Sequence, residues 1–305
     1  MFPSKEAGDY FNNNLIVLKY QLDLADPDGI MERFSIRAYP TFVFVDGDGN
    51  EFSRAIGSTP DTESFIAHIQ KAIEPENSWA YRTDQLKKDP SYAIEYVKAL
   101  QKSYMNDKAL DMLNDLFKTR SIADNFSEES IGLYNTLITD TNTPVVDFML
   151  QHQKEVSEVM GAEEYKTFLT TKAIAQLSGK LNRLDLEKPE SIENLENDIK
   201  KINAHPLLKS KYSTFLSENL NNIKAKNIDA IFDNSKKVLS DLSTAERSQL
   251  VGMNSNMARV LKVEVDREVQ NQRMIALYEI AVAYEKDSRA QQNYQRTLDR
   301  LKNPQ

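Results

Sequence analysis

Runs of β-branched and aromatic residues long enough to make a strand stop after Ile56, although the chain continues to residue 305. Five of the nine glycines, Gly8, Gly29, Gly47, Gly49 and Gly57, fall in the same opening stretch. Its clearest element is Thr41-Phe42-Val43-Phe44-Val45, which reads as a strand. Pro40 stands just before it, where a residue without an N–H does not break a ladder. Asp46-Gly47-Asp48-Gly49-Asn50 then supplies residues that tolerate positive φ, so the chain turns back into Glu51–Ile56 as a hairpin. A helix begins near Asp61 and ends at Glu74-Pro75-Glu76-Asn77-Ser78, because proline disfavours helix in the residue before it. The domain boundary is placed there, giving 1–76 and 77–305.

From Trp79 onward, apolar residues recur at helical spacing. Ala93, Tyr96, Val97, Leu100 and Tyr104 form one stripe, and Ala109, Leu113, Leu116 and Phe117 form the next; the short Asn106-Asp107 link predicts an antiparallel pair. Further starts are expected at Asp89-Pro90, Ser127, Thr143-Pro144, Pro189-Glu190-Ser191 and Ser243-Thr244-Ala245-Glu246. A last pair runs from Met274 to Ala283 and from Ala290 to Leu301. The hairpins at about 90–117 and 272–301 have the small-and-large apolar pattern of tetratricopeptide-type pairs. That repeat spans about 34 residues, a period that 120–270 does not show. An array of helical hairpins is therefore preferred to a strict solenoid.

Composition excludes several functions. The net charge of −8 argues against a general nucleic-acid binder, which presents a basic face to phosphates. The absence of cysteine excludes disulfides and thiolate metal sites. No apolar run reaches transmembrane length, so no membrane span is expected. His68, His152 and His205 are too dispersed for a metal motif. Asp46–Asn50 alternates acidic and amide side chains, but an EF-hand count puts Glu51 and Gly57 where glycine and glutamate belong, so a plain turn is favoured. No phosphate loop or nucleophile elbow is present, and no cofactor is called for. Glu128-Glu129 and Glu163-Glu164 suit helix starts. Trp79, Tyr81, Tyr92, Tyr96, Tyr104, Phe117 and Tyr134 either line a peptide groove or fill the helical core, and the core is favoured. Trp79 is expected to join the two parts.

Together, Ala7–Asn14, Leu15-Ile16-Val17-Leu18-Lys19-Tyr20, Gly29–Phe34, Tyr39-Pro40, the hairpin, Gly57 and the apolar Phe65, Ile66, Ile69 and Ile73 resemble the second half of a thioredoxin-like domain. The match runs roughly from Met1 to Glu74 and begins at Phe2-Pro3. The resemblance implies a strand at Leu15–Tyr20, a short helix at Gly29–Phe34 and a cis bond at Tyr39-Pro40. It also implies that the loop Tyr39, Pro40 and Thr41 contacts a substrate backbone. The family's first strand and its pair of cysteines have no counterpart, so the natural chain is expected to begin upstream of Met1. A sheet lacking a central strand leaves edge groups unpaired. An upstream segment, direct pairing of the remaining strands, or a strand lent by another copy in a homo-oligomer would each repair it.

The expected fold is thus α+β and multidomain: an incomplete thioredoxin-like α/β domain followed by a larger all-α helical-hairpin domain. The family's activity is thiol–disulfide exchange, which needs a thiolate that this chain lacks. No catalytic residue is therefore assigned, and an in-frame Cys-x-x-Cys segment before Met1 would restore that activity. The competing expectation is a non-catalytic scaffold whose helical part holds a protein or peptide partner. Bacterial proteins of this kind with appended helical domains are commonly periplasmic, which the resemblance extends to this chain. A metal-dependent or hydrolytic enzyme has no motif in its support.

Overall fold

Strands β1 (Thr41–Val45) and β2 (Glu51–Ile56) pair antiparallel, with Thr41 opposite Ile56, Phe42 opposite Ala55 and Phe44 opposite Ser53. A register shift follows Phe44, after which Val45 faces Glu51. The turn is built by Asp46, whose Oδ1 accepts the N–H groups of Asp48 and Asn50 at 3.0 and 2.9 Å. Those bonds, led by the one from Asn50, hold its carboxyl below the ordinary aspartate range. Gly49 takes φ +79°, and its carbonyl accepts from Arg33 Nη2 at 2.7 Å. That positive φ, which residues with a Cβ rarely adopt, favours glycine here, and a Cβ would also sit 2.8 Å from the movable end of Arg33.

The computed structural model describes residues 4–20, 26 and 29–303. The chain divides into two compact units, Met1–Leu137 and Ile138–Gln305. Among the described residues it is mostly helical, with seventeen α-helices and this one two-stranded sheet.

In the first unit, α1 (Lys5–Asn14) and α3 (Thr62–Ile73) cover one face of the hairpin. Phe11, Ala55, Phe65, Ile69 and Ala72 form the core, with Phe42 and Phe44 packed against it. The alternation of β1 makes this possible, since residues two apart share a face. Phe42 and Phe65 meet edge to face at 5.2 Å. Ser53, buried on the same face, donates to Ala72 O at 2.7 Å. The short helix α2 (Ile30–Arg33) is capped by Asp26, whose carboxylate accepts the N–H groups of Ile30 and Met31.

The expected strand at residues 15–20 is not formed. Ile16 is 96% exposed and Leu18 76% exposed, and Val17 and Tyr20 are exposed with them. β-propensity is a preference for a pleated, paired surface, and no strand pairs with this run among the described residues. Phe2-Pro3 lies outside the described residues.

The break at Glu74–Ser78 falls within the first unit, where Ser78 caps α4 (Trp79–Lys88) by accepting from Tyr81 N. The indole of Trp79 stacks on Tyr96 and donates from Nε1 to Glu51 on β2 at 2.9 Å, joining hairpin to helices as expected of it. After a 3₁₀ turn at Pro90–Tyr92, α5 (Ala93–Lys102) and α6 (Asn106–Phe117) form the expected antiparallel pair. Helices α7 (Ile122–Asn125) and α8 (Glu128–Leu137) complete the unit.

The second unit holds helices α9 (Pro144–Gln151), α10 (Gln153–Met160), α11 (Ala162–Asn182), α12 (Pro189–Ala204) and α13 (Lys211–Lys224). It continues through α14 (Ile228–Val238), α15 (Thr244–Leu261), α16 (Arg267–Tyr284) and α17 (Ser288–Lys302). Helix α11 runs through its centre, with Leu169, Ala173 and Leu177 fully buried. Thr143 and Ser243 cap α9 and α15 as their side chains predict. Glu246 completes the second cap with Oε2, while its Oε1 accepts Lys211 N and Tyr212 N at the start of α13. One carboxylate therefore closes two helix N-termini.

Candidate functional site

The loop that enters β1 gathers the residues the sequence singles out. Tyr39 and Pro40 are joined by a cis peptide bond and both are exposed, while Thr41 is half-buried. Each flank of the loop is fixed by a bond to a neighbour. Thr41 Oγ1 donates to Ala38 O at 2.7 Å, and Pro40 O accepts Gly57 N at 2.8 Å. Ile36, buried beneath, donates its N–H to Met31 O at 2.9 Å and pins the start of the loop to α2.

Tyr39 itself is 63% exposed. Its hydroxyl reaches Met31 Sδ at 3.7 Å, a weak acceptor. Among the described residues nothing hydrogen bonds its backbone N–H or C=O. A free donor and acceptor at the head of a strand, beside an aromatic side chain, suit the backbone of an extended peptide. The reactive side-chain groups of Tyr39, Pro40 and Thr41 are the Tyr39 phenol and the Thr41 hydroxyl, the latter engaged with Ala38 O.

Behind this loop, β2 carries a buried charge that the sequence does not advertise. Arg54 is 8% exposed, and Glu51 accepts from its Nε and Nη2, each at 2.6 Å. Nη2 also donates to Phe34 O at 2.7 Å, and Nη1 to Ser103 O at 3.4 Å. Trp79 Nε1 donates to the same Glu51 oxygen, Oε1, that accepts from Arg54 Nε, so the Glu51–Arg54 pair links β2 to α4 through Trp79, to the end of α2 through Phe34 and to the end of α5 through Ser103. An i, i+3 Glu and Arg on a strand point to no such network, because its partners come from 20 and 49 residues away. The fold alone assembles it.

No family model, curated protein or solved structure matches this chain.

The three histidines are used locally. His68 Nε2 sits 3.2 Å from Ile56 O, His152 stacks on Phe148 at 4.1 Å, and His205 Nδ1 accepts from Leu207 N at 3.3 Å. Among the described residues no three His, Asp or Glu side chains converge as metal ligands. Of the aromatics considered for a groove, Tyr96, Phe117 and Tyr134 are core residues, whereas Tyr81 and Tyr104 are exposed. Burial raises the Tyr134 phenol well above its ordinary range. Among the described residues no helix is long and apolar enough to cross a membrane.

Proposed function

We propose that this chain is a thioredoxin-like protein that binds an extended peptide segment of a protein partner at Tyr39, Pro40 and Thr41. The observation that carries this is the backbone of Tyr39 at the entry to β1, whose N–H and C=O have no hydrogen-bond partner among the described residues. The reading rests on the resemblance of the proline loop, the hairpin and the helix that follows; the strand that the resemblance implies at residues 15–20 is not formed among the described residues. The family's chemistry is thiol–disulfide exchange. The 305 residues contain no cysteine, so their own part in it is non-covalent. In this proposal the helical hairpins serve as a further partner-docking region.

The test is a panel of end-blocked extended peptides, followed by fluorescence polarisation, against the chain and its Tyr39→Ala variant. Saturable binding that weakens about tenfold, or about 1.4 kcal/mol, in the variant is expected, since one aromatic contact is lost. Equal affinity in both proteins would remove the loop from the site. In parallel, reduction of insulin by dithiothreitol should run at its uncatalysed rate. Acceleration by this cysteine-free chain would overturn the non-covalent role.

A further inference from the structure

A concave surface lies on the first unit, a cleft of about 460 Å³ between β2, α3, α4 and α5. Its lining includes Lys71 from α3, Arg82 from α4, and Lys98 and Lys102 from α5, against one lining carboxylate, Glu95. The chain as a whole carries −8, so this concentration of positive charge runs against the global balance. Lys98 is already compensated by Glu95 and Glu129. Among the described residues Lys71, Arg82 and Lys102 have no carboxylate within ion-pair distance.

Arg82 is the most informative of these. Its Nη1 donates to Tyr92 Oη at 2.9 Å and its Nη2 to Asn77 Oδ1 at 3.0 Å, so the guanidinium is positioned by neutral acceptors and feels Glu95 only from beyond ion-pair distance. Its Nε–H is buried without an acceptor. Such a group normally finds a partner. Three cations on three elements, none in a direct ion pair among the described residues and with Glu95 the one lining carboxylate, suit a ligand with several negative groups. They do not converge on a glycine loop or a nest of backbone N–H groups, the arrangement that cradles one phosphate. Carboxylates spaced along a chain fit better, because alternate residues of an extended peptide lie about 6.6 Å apart and can reach separate cations.

We propose that this cleft binds an acidic peptide segment, its Asp or Glu carboxylates meeting Lys71, Arg82 and Lys102. This goes beyond the Tyr39 loop and needs none of its residues. Trp79 lines the cleft and is the chain's one tryptophan, so the site carries its own fluorescent reporter. Titration of the full chain with end-blocked tetraglutamate should give a saturable change in Trp79 emission, weakened by salt as counterions compete. Tetraglutamine should give none. Lys71→Glu and Lys102→Glu, both at exposed positions, should each weaken binding about tenfold, equivalent to about 1.4 kcal/mol, with an unchanged circular dichroism spectrum. An equal response to tetraglutamine, or indifference to both charge reversals, overturns the proposal. Tripolyphosphate binding without tetraglutamate binding also overturns it, in favour of a phosphate site.

Discussion

At the scale of single residues, Arg54 shows how a buried charge is tolerated: its side chain is 1% exposed and that of Glu51 12%, yet every charged nitrogen is engaged. Removing one partner of such a pair strands the other without water, which costs more than the pair's net worth. Glu51→Ala should therefore lower stability by about 3 kcal/mol in urea denaturation. The double variant Glu51→Leu, Arg54→Met should recover much of that, because no unpaired charge remains. A double variant as unstable as the single one would show that hydrogen bonds to Phe34, Ser103 and Trp79 matter more than the charge pair.

At the scale of elements, polar side chains decide how helices of the second unit meet. Thr141 donates from N and Oγ1 to Gln176 Oε1, and Gln176 passes a bond to Asp198, which also pairs with Lys180. Arg247 on α15 donates to Glu285 just past α16 at 2.7 Å and to Leu239 O and Leu242 O. Burial opposes charge on Glu285, but Thr244, the Asp287 N–H and Arg247 outweigh it and hold its carboxyl below the ordinary 4.5. Unfolding returns the carboxyl to that value, so the protein binds a proton more readily when unfolded. The stability from Glu285 is present above about pH 4.5 and is lost as pH falls through the lower folded value. Urea midpoints measured from pH 7 down to pH 3 should fall less steeply for Glu285→Gln than for the parent. Parallel slopes would mean that Glu285 contributes nothing to acid lability.

At the scale of the whole molecule, the unit Ile138–Gln305 has its own closed core, from Val145 and Val146 through Leu169, Leu177, Leu195, Ile202, Leu216 and Leu250 to Leu277. A region with that much internal burial is large enough to fold alone. Expressed as 138–305, it should give a helical circular dichroism spectrum and a single sharp thermal transition. A broad, gradual melt would show that it depends on the first unit. The run Ile16–Tyr20 is the opposite case, since among the described residues its apolar side chains stay exposed.

What the sequence by itself determined is local. Period and capping residues set the helix pairs α5/α6 and α16/α17 and the starts at Thr143, Pro189 and Ser243, because those signals act within one turn of the chain. Pro40, Asp46 and Gly49 likewise placed the hairpin through their own backbone preferences. Tertiary structure decided whatever needed a distant partner. Leu15–Tyr20 has strand propensity but no ladder among the described residues, since a strand exists only against another strand. Arg54 and Glu51 became the centre of a network, and Lys71, Arg82 and Lys102 lined one cleft, through folding that brought residues tens of positions apart onto common surfaces. Nothing in their spacing along the chain encodes that meeting.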